Sequence, residues 1–311
     1  MIEGQEGVTW EQWVALARTC EASGLEALFR SDHYLSMSDE AHKGALDAWA
    51  TLSGLAAITK RIRLGTLVSP ATFRHPSVLA KMATTADHIS GGRIELGLGA
   101  GWFEREHAAY GLEFPETSAR MATLADQIEI IHEQWSDDGY SFKGSNYSIE
   151  SLTALPRPVQ RPHPPIIVGG SGGAKSIALA GRWADEYNTV MPTLEEARVR
   201  RRKLERAWRD NGRDPGSVAM SFMSTCIVGR DEDELMGRVQ TVLERTGNDK
   251  APDVYLKEAG ANRILGTTEQ VVDRLKSYES EGIDRVMLQH LAHDDLAMVE
   301  LLGSEVVPAL A

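Results

Sequence analysis

Short runs of β-branched and aliphatic residues alternate with longer stretches whose apolar positions recur every three to four residues. The first long stretch, residues 10–23, brings Trp13, Val14, Leu16, Ala17 and Cys20 onto one helical face and stops at Gly24. A brief strand pattern at 25–30 follows and ends in Ser31-Asp32-His33-Tyr34. The alternation then predicts a helix over 45–60 and a strand over 62–68 closed by Ser69-Pro70. A helix over 76–89 opens with proline, and a strand over 93–98 leads into Gly99-Ala100-Gly101-Trp102. Further on, strands are predicted over 166–168, 184–190, 217–228 and 283–288, and helices over 174–181, 193–211, 231–245, 270–281 and 296–310.

Repeated strand–helix units imply parallel strands joined by right-handed crossovers. Seven strands are legible, starting at 25, 62, 93, 166, 184, 217 and 283, and only Met1-Ile2 precedes the first helix to supply an eighth. The expected fold is therefore α/β, a single (β/α)8 TIM barrel over 1–311 with a truncated or missing first strand. Between strands 4 and 5 an inserted excursion is expected: a helix over 118–135, a hairpin over 140–151 around Gly144, and five prolines within 155–165. A doubly wound open sheet would need a glycine-rich phosphate turn after its first strand. Here the glycine-rich turns follow a middle strand and a later one, as suits a barrel whose working loops line one rim.

Composition narrows the partners. Thirty-three basic against forty-five acidic residues give a net charge of −12, which argues against non-specific nucleic-acid or anionic-membrane binding. No apolar run approaches the ~18 residues of a membrane span, and the polar N-terminus is unlike a signal peptide. Cys20 and Cys226 are distant and form no CxxC, so a disulfide framework or structural zinc site is not expected and a cytoplasmic setting is.

Candidate chemistry gathers at the predicted strand ends. His33 suits ligand binding or proton movement; the bland alternative is an Asp32–His33 pair that only caps the next segment. Gly99, Ala100 and Gly101 would let a backbone approach a flat ligand, with Trp102 and Phe103 as walls, or would form an ordinary tight turn. Gly169, Gly170, Ser171, Gly172 and Gly173 open a helix, where successive N–H groups and the helix dipole make an anion site, with Lys175 adding charge; a flexible turn is the alternative. The GK[ST] ending of a P-loop and the Gly-x-Ser-x-Gly elbow are both absent. His290 and His293 have no third ligand nearby and read as polar rim, so no metal site is expected. The basic run Arg198, Arg200, Arg201, Arg202, Lys203 is interleaved with Glu195, Glu196 and Glu205 and reads as a solvated helix face.

In order along the chain, residues 25–34, 62–73, 93–114, the proline stretch ending in Pro164-Pro165-Ile166-Ile167-Val168-Gly169-Gly170, and Ala184-Asp185-Glu186-Tyr187-Asn188 resemble the luciferase-like monooxygenase superfamily. The form is most similar to its coenzyme F420-dependent (deazaflavin) oxidoreductases. The resemblance implies a flavin-like cofactor at the C-terminal ends of the strands, its phosphate over Gly169–Gly173 and its ring facing Asp32 and His33. It implies a non-proline cis peptide at Leu67-Val68, backbone contacts from Ala100 and Gly101, and a homodimer. Members open with a hydrophobic first strand where this chain reads Ile2-Glu3-Gly4-Gln5, so either the start lies upstream or the barrel is incomplete.

The expected function is hydride transfer between F420 and a small organic substrate. The alternatives are an FMN-dependent monooxygenase using reduced FMN and a non-catalytic, cofactor-holding barrel. His33 is the expected catalytic residue, as proton donor, proton acceptor or orienting donor. Asp32 would point to the opposite face for as long as the strand continues.

Overall fold

The computed structural model describes residues 1–38, 43–260 and 262–310. Its strands are β1 (Ala27–Arg30), β2 (Arg63–Thr66), β3 (Ser69–Pro70), β4 (Ile94–Gly99), β5 (Tyr140–Lys143), β6 (Ser148–Leu152), β7 (Ile166–Gly169), β8 (Glu186–Val190), β9 (Ala219–Gly229), β10 (Ile264–Thr267) and β11 (Arg285–Gln289). The helices are α1 (Trp10–Ala22), α2 (Ala48–Ile58), α3 (Pro76–Ser90), α4 (Glu104–Tyr110), α5 (Thr117–Ser136), α6 (Ala174–Trp183), α7 (Leu194–Asp210), α8 (Glu232–Thr246), α9 (Pro252–Glu258), α10 (Thr268–Ser280) and α11 (Leu296–Leu301).

The barrel forms as expected. Parallel pairing runs from β1 to β2, β4, β7, β8, β9 and β11. Met1 and Ile2 close the ring between β11 and β1. Ile2 N–H donates to Phe29 O at 3.0 Å, and Ser31 N–H donates to Ile2 O at 3.1 Å. On the other side the Met1 ammonium donates to Leu288 O at 2.9 Å, and His290 N–H donates to Met1 O at 3.0 Å. The first stave is thus the expected stub, and it pairs both neighbours at the C-terminal rim.

Inward- and outward-pointing side chains divide the core. Leu64, Leu96, Ile166, Val168, Tyr187 and Phe222 pack with the helices, which contribute the buried indoles of Trp13, Trp49 and Trp208. Phe29, Leu67, Ile167 and Met287 form a smaller buried cluster. In the excursion, β5 and β6 make the expected antiparallel hairpin. Asp87 of α3 ties down the proline stretch by accepting from the N–H groups of Val159 and Gln160.

Three local readings are corrected. Strand β10 and helices α4 and α9 were not expected; β10 pairs with the far end of β9, from Ile264 opposite Cys226 to Thr267 opposite Gly229. Helix α2 starts at Ala48 rather than 45, because the Asp47 carboxylate caps it by accepting from Ala50 N–H at 2.9 Å. The last helix does not run through 296–310: after Leu301 it widens into a π turn at Leu302–Val306 and ends in a 3-10 turn at Pro308–Leu310.

Candidate active site at the barrel mouth

A cavity of about 870 Å³ opens at the C-terminal ends of the strands. Its floor is built by small residues around one side chain. The Leu67–Val68 peptide is cis, as the resemblance implied. Cβ atoms added at Gly97, Gly99 and Gly169 would come within 3.0, 2.6 and 3.2 Å of the Val68 methyls. Glycine on β4 and β7 therefore makes the room that Val68 occupies. Leu67, Val68, Gly99, Ala100, Gly101 and Gly169 all line the cavity. Gly101 has φ of 81°, which favours glycine, and its carbonyl accepts from Arg120 Nε at 3.2 Å.

One end of the cavity is suited to an anion. Gly170, Ser171 and Gly173 lead into α6, whose N-cap, Gly173, provides no side-chain acceptor. The first N–H groups of this helix therefore keep their donors for a ligand. Lys175, Ser176 and Arg200 line the same end. Not every N–H of the turn is available: Gly170 donates to Asn188 O at 2.9 Å, and Gly172 to the Tyr187 hydroxyl at 2.8 Å. Gly172 lies behind the wall rather than on it, with φ of 83° and its back against Arg200. Arg200 departs from the solvated face read in the sequence. Its guanidinium turns inward, donates to Thr189 Oγ1 at 2.6 Å and pairs with Glu196 at 3.3 Å.

The other end carries His33. Its Nδ1 lies 2.8 Å from Glu106 Oε2. Glu106 is fully buried on α4, and its second oxygen accepts from the N–H groups of Tyr34 and, at 3.0 Å, Leu35. Facing an ionised carboxylate, Nδ1 carries the hydrogen, which leaves Nε2 available to a ligand. Burial disfavours the imidazolium, but the hydrogen bond and charge of Glu106, aided by Glu3 and Asp32, outweigh it and raise the His33 pKa. Burial likewise works against the Glu106 carboxylate, and His33 with the two backbone donors still holds its pKa below the usual value. Trp102 and Phe103 stand edge-on to the imidazole, with centroids at 5.7 and 5.9 Å.

Asp32 is brought near but not into the cavity. It is fully buried, takes both terminal nitrogens of Arg74 at 2.6 and 3.1 Å, and accepts from Ser69 Oγ at 2.6 Å. Arg74 in turn reaches Asp47 and the Tyr34 hydroxyl, each at 2.7 Å. Asp32 and His33 thus point to opposite sides, and Asp32 fastens the end of β1 to the segment after β3. Reading the sequence missed Glu106, Arg200 and the lining side chains Glu3, Met37, Met121, Met223 and Gln289. Only Glu106 had a visible signal, an acidic pair with Glu104 just beyond the fourth strand's rim.

The family model for luciferase-like monooxygenase matches residues 2–285. The chain is 29% identical to an F420-dependent glucose-6-phosphate dehydrogenase of Microbacterium testaceum, covering 93% of this chain and 90% of that one. It is 25% identical to an FMNH2-dependent dimethylsulfone monooxygenase of Pseudomonas putida, over 94% and 86%. Among solved structures, the coenzyme F420-dependent tetrahydromethanopterin reductase of Methanopyrus kandleri superposes with a TM-score of 0.80 at 21% identity, covering 100% of this chain and 98% of that one. Among the described residues no helix is long and apolar enough to cross a membrane.

Proposed function

This chain belongs to the luciferase-like monooxygenase family, and on that premise we propose that it is an oxidoreductase moving a hydride between coenzyme F420 and a small organic substrate. The observation that carries the reading is the pairing, across one cavity, of an uncapped helix start flanked by Lys175 and Arg200 with a His33–Glu106 dyad. The residues fit the group. A Cβ at Gly170 would fall 2.6 Å from the Tyr187 hydroxyl, so the turn is already packed on its inner side and can approach a phosphate only as bare backbone.

When bound, the deazaflavin supplies a two-electron hydride carrier. Ser171, Lys175, Arg200 and the α6 N-terminus would hold its phosphate. Leu67, Val68, Gly99, Ala100 and Gly101 would form the surface for its ring. His33 Nε2 takes the proton from a substrate hydroxyl during oxidation, or returns it to a carbonyl oxygen during reduction. Glu106 positions the ring through Nδ1 and favours the imidazolium that forms.

FMN presents a similar phosphate to the same turn, and a relative named for FMNH2 makes it the competing cofactor. The relatives named for F420-dependent glucose-6-phosphate dehydrogenase support the deazaflavin. Fluorescence titration of purified protein with F420 and FMN tests the choice: F420 should bind at least about tenfold more tightly. Tighter FMN binding with oxygen-dependent turnover would reverse it. We further propose a homodimer, which light scattering at micromolar concentration checks; a monomer mass rejects it.

A further inference from the structure

The charges of the cavity are segregated. Among the described residues its charged or titratable lining groups are Glu3, His33, Lys175 and Arg200. Lys175 and Arg200 stand on α6 and α7, beside β7 and β8. His33 follows β1, and Glu3 lies between β1 and β11, on the opposite side of the ring. Whatever the cationic end holds, the His33 end meets its ligand with a carboxylate and no lysine or arginine on the wall.

That carboxylate is built in. Glu3 is 9% exposed, and its two oxygens accept from Gln289 Nε2 at 2.7 Å and Gln5 Nε2 at 2.9 Å. Neither donor is charged, so the negative charge is oriented without being neutralised. Each oxygen retains a second lone pair, enough to accept a hydroxyl hydrogen. Beyond it, Trp102 stands against His33 and Met37, Met121 and Met223 add thioethers to the cavity wall, side chains that reshape around differing ligands.

We propose that the His33 end takes an uncharged, largely apolar alcohol or the corresponding ketone, and that Glu3 turns phosphorylated sugars away. This deepens the deazaflavin reading and rests on it. A sugar phosphate would bring a dianion out of water to face a fixed carboxylate, with no lysine or arginine among the described residues of that wall to compensate. A hydroxylated hydrocarbon brings no charge to desolvate, exchanges its hydroxyl's water for His33 or Glu3, and gains the burial of its apolar surface against the methionines. Relatives named for glucose 6-phosphate would then differ from this chain in substrate while sharing its cofactor.

The experiment is calorimetric titration of the F420-loaded protein with cyclohexanol, glucose and glucose 6-phosphate, repeated on cofactor-free protein. Cyclohexanol should bind at least about tenfold more tightly than glucose 6-phosphate, and the phosphate should weaken the binding of glucose. Glu3→Gln should bring glucose 6-phosphate closer to cyclohexanol by about tenfold. Glucose 6-phosphate binding as tightly as cyclohexanol, or no cyclohexanol binding, overturns the proposal. An unchanged ratio in a Glu3→Gln variant that melts like the parent removes Glu3 from it. If that variant does not fold, the glucose and glucose 6-phosphate pair in the parent protein decides. Failure of F420 itself to bind retires the cofactor reading, whereas preference for the phosphate in either form retires only this one.

Discussion

At the base of the barrel Arg285 is gripped by Glu95 at 2.7 Å, Glu186 at 3.2 Å and Glu26 at 2.6 Å, and Arg63 bonds Glu95 from the other side. At the mouth His33 has one carboxylate partner and keeps a ring nitrogen for a ligand, while α6 begins without a cap. Both ends shift pKa values. Burial, against the pull of Arg285, raises Glu186 to about 7, and the Glu106 contact raises His33. The mouth is also not alone in having a cavity: one of about 580 Å³ runs along β1 and β11 from Glu26 and Arg285 at the base to Met1 and His290, lined in part by Leu16, Leu28, Leu275, Val299 and Leu302. A perturbed titration or a hollow is therefore a poor guide on its own. What separates the ends is satisfaction: the base answers its charges internally, and the mouth leaves donors and acceptors over.

The sharpest way to break this contrast is at His33. His33→Ala should slow turnover by about 10²- to 10⁴-fold while F420 affinity changes much less. Stopped-flow hydride transfer as fast as in the parent, with substrate saturating, would make the imidazole a wall and nothing more. Gly170→Leu comes next. The new side chain meets Ser176 and the Tyr187 hydroxyl, so F420 affinity should fall about 100-fold while unfolding stays cooperative. Unchanged affinity would take the turn out of the site.

Glu106→Gln gives a smaller and more diagnostic change. Glu106 raises the His33 pKa, so removing its charge lowers that pKa. Alcohol oxidation needs neutral His33, hence the acid limb of the kcat/KM profile should move to lower pH, with turnover falling about tenfold. An unmoved limb assigns Glu106 to folding alone.

The base bears on stability and leaves turnover alone. Glu186 keeps its proton in the folded state up to about pH 7, whereas unfolded it ionises near the ordinary 4.5. Its contribution to stability is therefore full below about 4.5 and is lost as pH rises through 7, a span worth on the order of 3 kcal/mol at most. Glu186→Gln should flatten that slope, so its melting temperature relative to the parent rises between pH 5 and pH 7.5 with activity unaltered. A parallel pair of melting curves would place the charge elsewhere.

The same contrast explains what could be read from the chain. The alternation of strands and helices survives in sequence because each β unit is a local run, and the turn at Gly169–Gly173 is five consecutive residues. Strand β10 is four residues with no alternation to betray it, and it exists because β9 overshoots the ring and offers it an edge. Arg200 sits in a run of basic residues where only tertiary packing selects the one that turns inward. Glu106 lies on a seven-residue helix without a side-chain cap, and its meaning comes from a partner 73 positions away. Asp32 and His33 are adjacent, yet one belongs to the scaffold and the other to the cavity, a division that the pleat anticipates and a motif does not.

The packing of Val68 against three glycines has a bearing on how this protein could acquire new activities. A side chain at Gly97 or Gly99 collides with Thr66 or Val68, and one at Gly169 presses on the Val68 methyls, so substitution there disturbs the floor before it can be tested on a substrate. Met37, Met121, Met223 and Trp102 come from different segments and are not part of that interlock. A mutational library aimed at substrate scope should be confined to these four wall positions. Descendants of this chain would then diverge along the walls while inheriting an unaltered floor.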